Sequence, residues 1–273
     1  MLPFSVLLSV YYKEKPVYLA QALDSILTQS ILPNEIVIVK DGPLGKGLEE
    51  VLDLYAAKHP IFKLVIHQKN LGLGISLRDG VLACANEFIA RMDTDDIAMP
   101  DRFEKQLSYL IDHPEVSLVG SFVEEFSKSP DHPDSLTKLP VTHAEIVNFA
   151  KRRNPFRHMT VMFKKSVVLK AGNYRHFLWF EDYDLWIRML QSGTIAANLP
   201  EVLVKVRADK EMFARRGGFT YLVQDVKFQN FLLNSNFISW CTYATNVVLR
   251  VAVRLLPNRL RALIYKNFLR DKN

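Results

Sequence analysis

The sequence predicts an α/β fold, a mostly parallel sheet flanked by helices, followed by a basic helical segment at the C-terminus. Three observations predict it. Four short apolar runs rich in β-branched residues alternate with helix-length amphipathic stretches over the first 93 residues, the pattern of right-handed βαβ units. Those runs are continuously apolar, as strands covered on both faces are. The net charge of +6 is also unevenly spread. Residues 246–273 hold seven basic residues against one acidic residue, and the rest of the chain balances at 28 of each.

In chain order, "FSVLLSV" (4–10), "EIVIVKD" (35–41), "FKLVIHQ" (62–68) and "EFIARMD" (87–93) are the strands, with helices expected at 17–29, 48–59 and 75–86. A helix over 100–113, with Pro100 near its start, precedes a strand at 116–126 and a polar, proline-containing loop at 127–140. A helix near 143–152, a strand at 160–164, a helix at 182–193 and an extended piece at 201–207 follow. Residues 208–220 are polar, with paired Arg and paired Gly, and the chain reads as helical from 221.

At 273 residues the chain has room for one large domain, or one with an appendage. Cys84 and Cys241 match no metal-ligand or redox spacing, so a reducing, cytosolic setting is expected. The N-terminus lacks a basic leader and a small-residue cleavage site, and its apolar run is too short to span a bilayer. A charge-neutral body predicts no nucleic-acid partner.

In a parallel sheet, ligands gather beyond the carboxyl ends of the strands. Those ends carry Ser9, Val10 and Tyr11, then Asp41, then Asn70 with Gly72, then Asp93, Asp95 and Asp96. A D-x-D at a strand end suits Mg²⁺ or Mn²⁺ bridging two phosphates, because these hard cations take oxygen ligands. The competing explanation is an acidic cap for the helix near Pro100. One cap needs one acid, and here three fall within four positions.

Together, "SVLLSVYYKEK", "YLAQALDSILTQS", "EIVIVKDGP", "NLGLGISLRDGV" and "ARMDTDDI", then "NPFRHMTVMFKK" and "EDYDLWIRML", resemble the inverting glycosyltransferases of family two that build bacterial O-antigens and exopolysaccharides. The resemblance covers roughly residues 4–210 and implies a GT-A fold. It divides the chain into a glycosyltransferase domain at 1–220, with a nucleotide-binding half to 126 and an acceptor half beyond it, and a membrane-associating tail at 221–273.

Carried onto these residues, the resemblance implies that Ser9, Val10 and Tyr11, with Glu14, pocket the nucleoside. Asp41 hydrogen-bonds the uracil or ribose, or simply ends its strand in a turn. Asn70 and Gly72 let their loop approach the nucleotide. Arg78 faces the base or a phosphate, unless it lies on a solvated helix face. Asp93 contacts the ribose, Asp95 ligates the metal and Asp96 helps place the donor sugar or supports the metal site. Asp182 is the general base, Glu181 binds acceptor or donor hydroxyls, and Asp184 starts the helix. His158 ligates the metal or binds a phosphate, or is structural. Arg207, Arg215 and Arg216 fall where the family has a loop that closes over the diphosphate, a task suited to bidentate guanidinium groups.

The activity implied is single-displacement transfer of a hexose from a UDP-sugar, UDP-glucose or UDP-galactose, to a saccharide on a lipid diphosphate of the undecaprenyl type. The product carries a β-linkage, and the setting is the cytoplasmic face of a bacterial inner membrane. The basic amphipathic stretches 247–257 and 258–270 suit an anionic membrane surface, or else a helix pair packed on the domain. Two alternatives stand beside this. An aspartate-dependent phosphatase would place its D-x-D after the first strand, and here it follows the fourth. A non-catalytic nucleotide-sugar-binding subunit would need no intact second acidic site.

Overall fold

The computed structural model describes residues 2–208 and 218–255. The nine strands are β1 (Phe4–Val10), β2 (Glu35–Lys40), β3 (Phe62–Ile66), β4 (Phe88–Arg91), β5 (Ile97–Ala98), β6 (Val116–Phe126), β7 (Ser135–Thr137), β8 (Met162–Lys164) and β9 (Ile195–Arg207). They form one sheet in the order β3-β2-β1-β4-β8-β6-β9-β5, with β7 added beside β6. The β3-β2-β1-β4 half is wholly parallel, as the alternating pattern predicts. Beyond it β8 runs antiparallel to both β4 and β6, so the second half is mixed.

Helices α1 (Pro16–Leu27), α2 (Lys46–Lys58) and α4 (Arg102–Asp112) pack on one face of this sheet, and α3 (Leu73–Ala83), α5 (His143–Ala150), α6 (Lys165–Lys170) and α7 (Glu181–Gln191) on the other. The period of two along a strand divides the core accordingly. Val6, Leu8 and Val10 of β1 enter the first cluster, and Leu7 enters the second. Helix starts follow local chemistry. Pro16 occupies the first turn of α1, and Thr142 with Glu145 forms a reciprocal capping box on α5.

Four elements differ from the sequence expectation. The extended piece expected at 201–207 is the second half of the thirteen-residue β9. Pro200 suggests a break, but the register steps from Ser121↔Leu199 to Phe122↔Val202, so Pro200 sits in a bulge where no ladder bond is required of it. The three-residue β7 falls in the 127–140 stretch expected to be loop, and the two-residue β5 in one for which no element was expected. Helix α6 occupies a stretch for which no element was expected.

Helices α8 (Phe219–Asn234) and α9 (Trp240–Leu255) complete the described chain. Phe228 of α8 is fully buried against Phe180 and Tyr183, with ring centroids 4.9 and 4.4 Å away. Arg250 of α9 turns inward to Asp225, at 2.9 Å, and donates to the Arg152 carbonyl. It therefore does not belong to a solvated basic face. Among the described residues, no helix is long and apolar enough to cross a membrane. Residues 258–270, with most of the tail's charge, and Arg215 and Arg216 lie outside the described residues.

Candidate active site

The chain steps from β1 to β2 and β3 on one side, then returns to place β4 on the other. That reversal opens a crevice at the carboxyl ends of β1 and β4, the expected ligand position in such a sheet. A cavity of about 340 Å³ lies there, within the usual size of small-molecule sites. Its first half is built by Ser9, Tyr11 and Glu14 after β1, Asp41 after β2, Asn70 and Gly72 before α3, and Asp93 after β4. Glu181 and the 176–179 loop close it from the second half. The structure thus brings eight of the expected site residues to one cavity. Val10, Arg78, Asp95, Asp96, His158 and Asp182 do not line it. Val10 is fully buried, with its carbonyl accepting the Asp41 amide, and Arg78 is exposed and paired with Asp79 at 2.8 Å.

Asp41 is 3% exposed and organises the loop opposite. Its two carboxylate oxygens accept the Leu71 amide at 2.7 Å and the Gly72 amide at 3.0 Å. The Asn70 side chain donates to its carbonyl at 3.2 Å. Gly42 makes this possible. Its φ of +86° is costly for other residues, and an added Cβ would stand 2.6 Å from the Asn70 nitrogen.

The three acids beyond β4 do not cap a helix. α4 begins at Arg102, and its cap residue Asp101 makes no side-chain cap bond. Asp93, Asp95 and Asp96 instead bring one carboxylate oxygen each within 4.8 Å of the others. Arg91, almost fully buried beneath them, pairs with Asp93. Burial, then the Asp93 charge, pushes Asp95 up to about 6. Burial, then Asp95 and Asp93, raises Asp96 well above the usual carboxylate range. Asp96 accepts the Arg207 amide at 2.8 Å through Oδ1, while its buried Oδ2 has no hydrogen-bond partner among the described residues.

Even with the charges of Arg91, Arg102 and Arg207 nearby, Asp95 and Asp96 stay raised, and an unsatisfied buried oxygen is costly. A hard divalent cation fits both features. His158 is not in this group. Its Nε2 lies 2.9 Å from the Tyr174 hydroxyl, and burial, followed by the Arg91 charge, holds its pKa well below the ordinary imidazole value. It is a neutral ring packed beside Trp186, centroids 6.0 Å apart. Arg207 lies over the Tyr18 ring at 3.8 Å and donates to the Asp95 carbonyl.

The second acidic site opens α7. Burial, then the Asp182 charge, raises Glu181 to about 8. Asp182 is also raised, by burial, but two hydrogen bonds oppose that shift: the Tyr183 amide donates to Oδ1 and Asn154 to Oδ2, both at 2.7 Å. Asp184, third acid of this first turn, is buried and pairs with Arg188 at 2.7 Å. Glu181 lines the cavity and Asp182 stands behind it, beside Asn154. Asn154 was visible only as part of "NPFRH", with nothing to mark its partner.

The 176–179 loop was missed altogether. Trp179 is 41% exposed and holds φ at +67°, a conformation that costs a bulky residue about 1–3 kcal/mol. The loop packs on the start of α3 through Gly74. An added Cβ there would collide with the Arg175 carbonyl oxygen and approach the Glu181 Cβ to 3.2 Å. Gly74→Ala is expected to cost about 1–3 kcal/mol by overpacking, read as a lower urea midpoint, and to reduce turnover by displacing Glu181.

A sheet with a parallel half, three clustered acids at its switch point and Glu181 across the cavity has the plan of a GT-A fold. Solved structures share it. A UDP-GlcNAc complex of TarS from S. aureus superposes with a TM-score of 0.67 at 15% identity, over 92% of this chain and 72% of that one. A mannosyltransferase from Pyrobaculum calidifontis, with GDP-Man and Mn²⁺, gives 0.64 at 18% identity, over 97% and 79%.

Residues 5–171 match the profile of "Glycosyl transferase family 2", and the chain belongs to that family. It is 42% identical to the amylovoran biosynthesis glycosyltransferase AmsE of Erwinia amylovora, over 96% of this chain and 98% of the relative. It is 36% identical to a UDP-Gal:α-D-GlcNAc-diphosphoundecaprenol β-1,3-galactosyltransferase of Escherichia coli, over 98% and 96%.

Proposed function

We propose that this protein is an inverting hexosyltransferase of bacterial surface-polysaccharide synthesis. It moves a hexose from UDP-galactose or UDP-glucose to a saccharide on a lipid diphosphate, forming a β-linkage. The observation that carries this is the cavity itself, lined on one side by the strand ends with Asp93 of the acidic trio and on the other by Glu181, whose neighbour Asp182 is held by Asn154. Two relatives named for polysaccharide and lipid-linked galactosyl transfer support the substrate class. Incubating the protein with each UDP-hexose and a synthetic GlcNAc-diphosphoryl-alkyl acceptor, then determining the product linkage by NMR, tests it. No transfer from any UDP-sugar would sink the proposal.

In the reaction, Asp41 keeps the Asn70–Gly72 loop against the nucleotide, while Ser9, Tyr11 and Asp93 line the nucleoside end. Asp95 and Asp96, with Asp93, would hold Mn²⁺ or Mg²⁺, whose charge would offset that developing on the departing diphosphate. The acceptor hydroxyl oxygen bonds to the anomeric carbon from the face opposite the diphosphate, and the bond from that carbon to the diphosphate oxygen breaks. The hydroxyl proton passes to Asp182.

Paired groups whose environments push their pKa values apart divide acid from base roles. Donors from Asn154 and Tyr183 favour ionised Asp182, while Glu181 stays protonated at neutral pH and can donate a hydrogen bond to a substrate hydroxyl. Turnover should therefore fall above about pH 8 as Glu181 ionises, and Glu181→Gln should flatten that limb of the pH–rate profile.

Stability gives an independent check. Since folding raises the pKa of Glu181, its neutral form favours the native state. That contribution is fully present below the unfolded value of 4.5 and is lost as pH rises through about 8. Glu181→Gln should match the wild type near pH 4 and be the more stable protein at pH 8.5, by on the order of a few kcal/mol. Equal melting temperatures at both pH values would contradict it.

Trp240, Val248 and Leu249 are exposed on α9, and residues 256–273 add five basic side chains. Both features suit a peripheral position on the inner membrane surface, where a lipid-linked acceptor resides.

A further inference from the structure

We propose that Trp179 is a stacking platform for the pyranose ring of the acceptor. This rests on the transferase function proposed above. Four observations converge on it. Trp179 lines the cavity two residues before Glu181. Its neighbour Phe180 is 7% exposed whereas Trp179 is 41% exposed, so burial does not explain its position. Its backbone occupies the left-handed region, which a tryptophan rarely adopts and which functional sites retain when it aims a side chain. Finally, Tyr221 of α8 stacks on it, with centroids 5.0 Å apart and planes 21° from parallel. Tyr221 is not on the cavity wall, so it backs one face of the indole and fixes the ring's orientation.

A fixed, half-exposed indole beside polar groups is suited to a sugar. One face of a pyranose presents C–H bonds of slight positive charge, which lie well against the negative face of an aromatic ring. The hydroxyls around the sugar's edge remain free for Glu181 and Asp182. The acceptor, rather than the donor, belongs here. The nucleotide side of the cavity is built by the ends of β1, β2 and β4, whereas Trp179 leads directly into the helix that carries the base. In an in-line displacement the acceptor hydroxyl must lie beside that base. Trp179 is thus a residue that orients the acceptor, and its loss should raise the acceptor KM without weakening nucleotide binding.

The test compares wild type with Trp179→Phe, Trp179→Ala and Trp179→Asn. Asparagine tolerates a left-handed backbone, so the Asn variant should fold at least as well as the wild type and separates lost stacking from misfolding. The acceptor KM is measured with GlcNAc-diphosphoryl-alkyl and the UDP-hexose that supports turnover, and UDP affinity by calorimetry. Expected is an acceptor KM raised about tenfold in the Ala and Asn variants, within about threefold of wild type for Phe, and an unchanged UDP Kd in all. Acceptor KM unmoved in the folded Asn variant would overturn the proposal, as would a weakened UDP Kd, which would place the nucleotide on the ring instead. A wild type that neither binds UDP nor transfers hexose would remove both the transferase function and the platform. Normal wild-type turnover with an unmoved acceptor KM in the Asn variant would remove the platform alone.

Discussion

Asp182→Asn is expected to lower hexose transfer by roughly 10²–10⁴-fold, the usual contribution of a positioned general base, with melting temperature and UDP affinity close to wild type. The substitution is nearly isosteric and removes only the capacity to take a proton. Burial already disfavours the charge on Asp182, so a neutral amide at this position carries no desolvation cost. One of the two hydrogen bonds from Asn154 and Tyr183 is weakened, because the amide offers a single oxygen. The loss should fall on kcat, since a group that acts on the departing proton stabilises the transition state rather than the bound substrate. Glu181→Gln gives the contrast. It keeps a hydrogen-bond donor on the cavity wall and should retain far more activity at pH 7. If Glu181→Gln were the inactive variant and Asp182→Asn the active one, the two roles would exchange, and the residue on the wall would be the base.

Much of this arrangement was legible in the sequence because it follows from local patterns. The apolar runs at 4–10, 35–41, 62–68 and 87–93 fix four adjacent parallel strands, and a parallel sheet then places whatever follows each run on one rim. Asp41, Asn70, Gly72 and Asp93 converge for that reason alone. What remained hidden depends on partners distant in the chain. Arg91 and Arg102 are charged residues that sequence would place at the surface, yet both are buried, with Arg102 donating to the Arg91 carbonyl at 2.7 Å. They form the cationic floor of the acidic trio, which only the folded core can reveal. Pro200 hid half of β9 because a bulge was needed to accommodate it. Arg250 counted as tail charge until Asp225, twenty-five positions away, proved to be its partner. Trp179 drew no reading because its exposure comes with a left-handed backbone conformation that no residue pattern encodes.

Removing divalent cations with a chelator is expected to suppress transfer by at least about 10²-fold, the scale attached to losing electrostatic stabilisation of developing charge. Added Mn²⁺ should restore it, and Mn²⁺ should also raise the melting temperature by several degrees, since a ligand held at 100 times its Kd stabilises the native state by about 2.7 kcal/mol. The reason lies in the charge balance beneath the cavity. Asp93 has Arg91, but burial and the Asp93 charge raise Asp95, and burial with the Asp95 and Asp93 charges raises Asp96. Two carboxylates held in that condition gain from a doubly charged partner, and the bare Asp96 Oδ2 gains a ligand. Asp95→Asn should therefore abolish both the thermal shift and the transfer, while its metal-free melting temperature equals or exceeds that of the metal-free wild type, because one repelling charge has gone. Asp96→Asn should likewise stabilise the metal-free protein and weaken its response to Mn²⁺. A chelated enzyme that turned over normally, or one whose melting temperature ignored Mn²⁺, would show that the trio is balanced by the neighbouring arginines and protons, and would leave the diphosphate to be neutralised by protein cations such as Arg207.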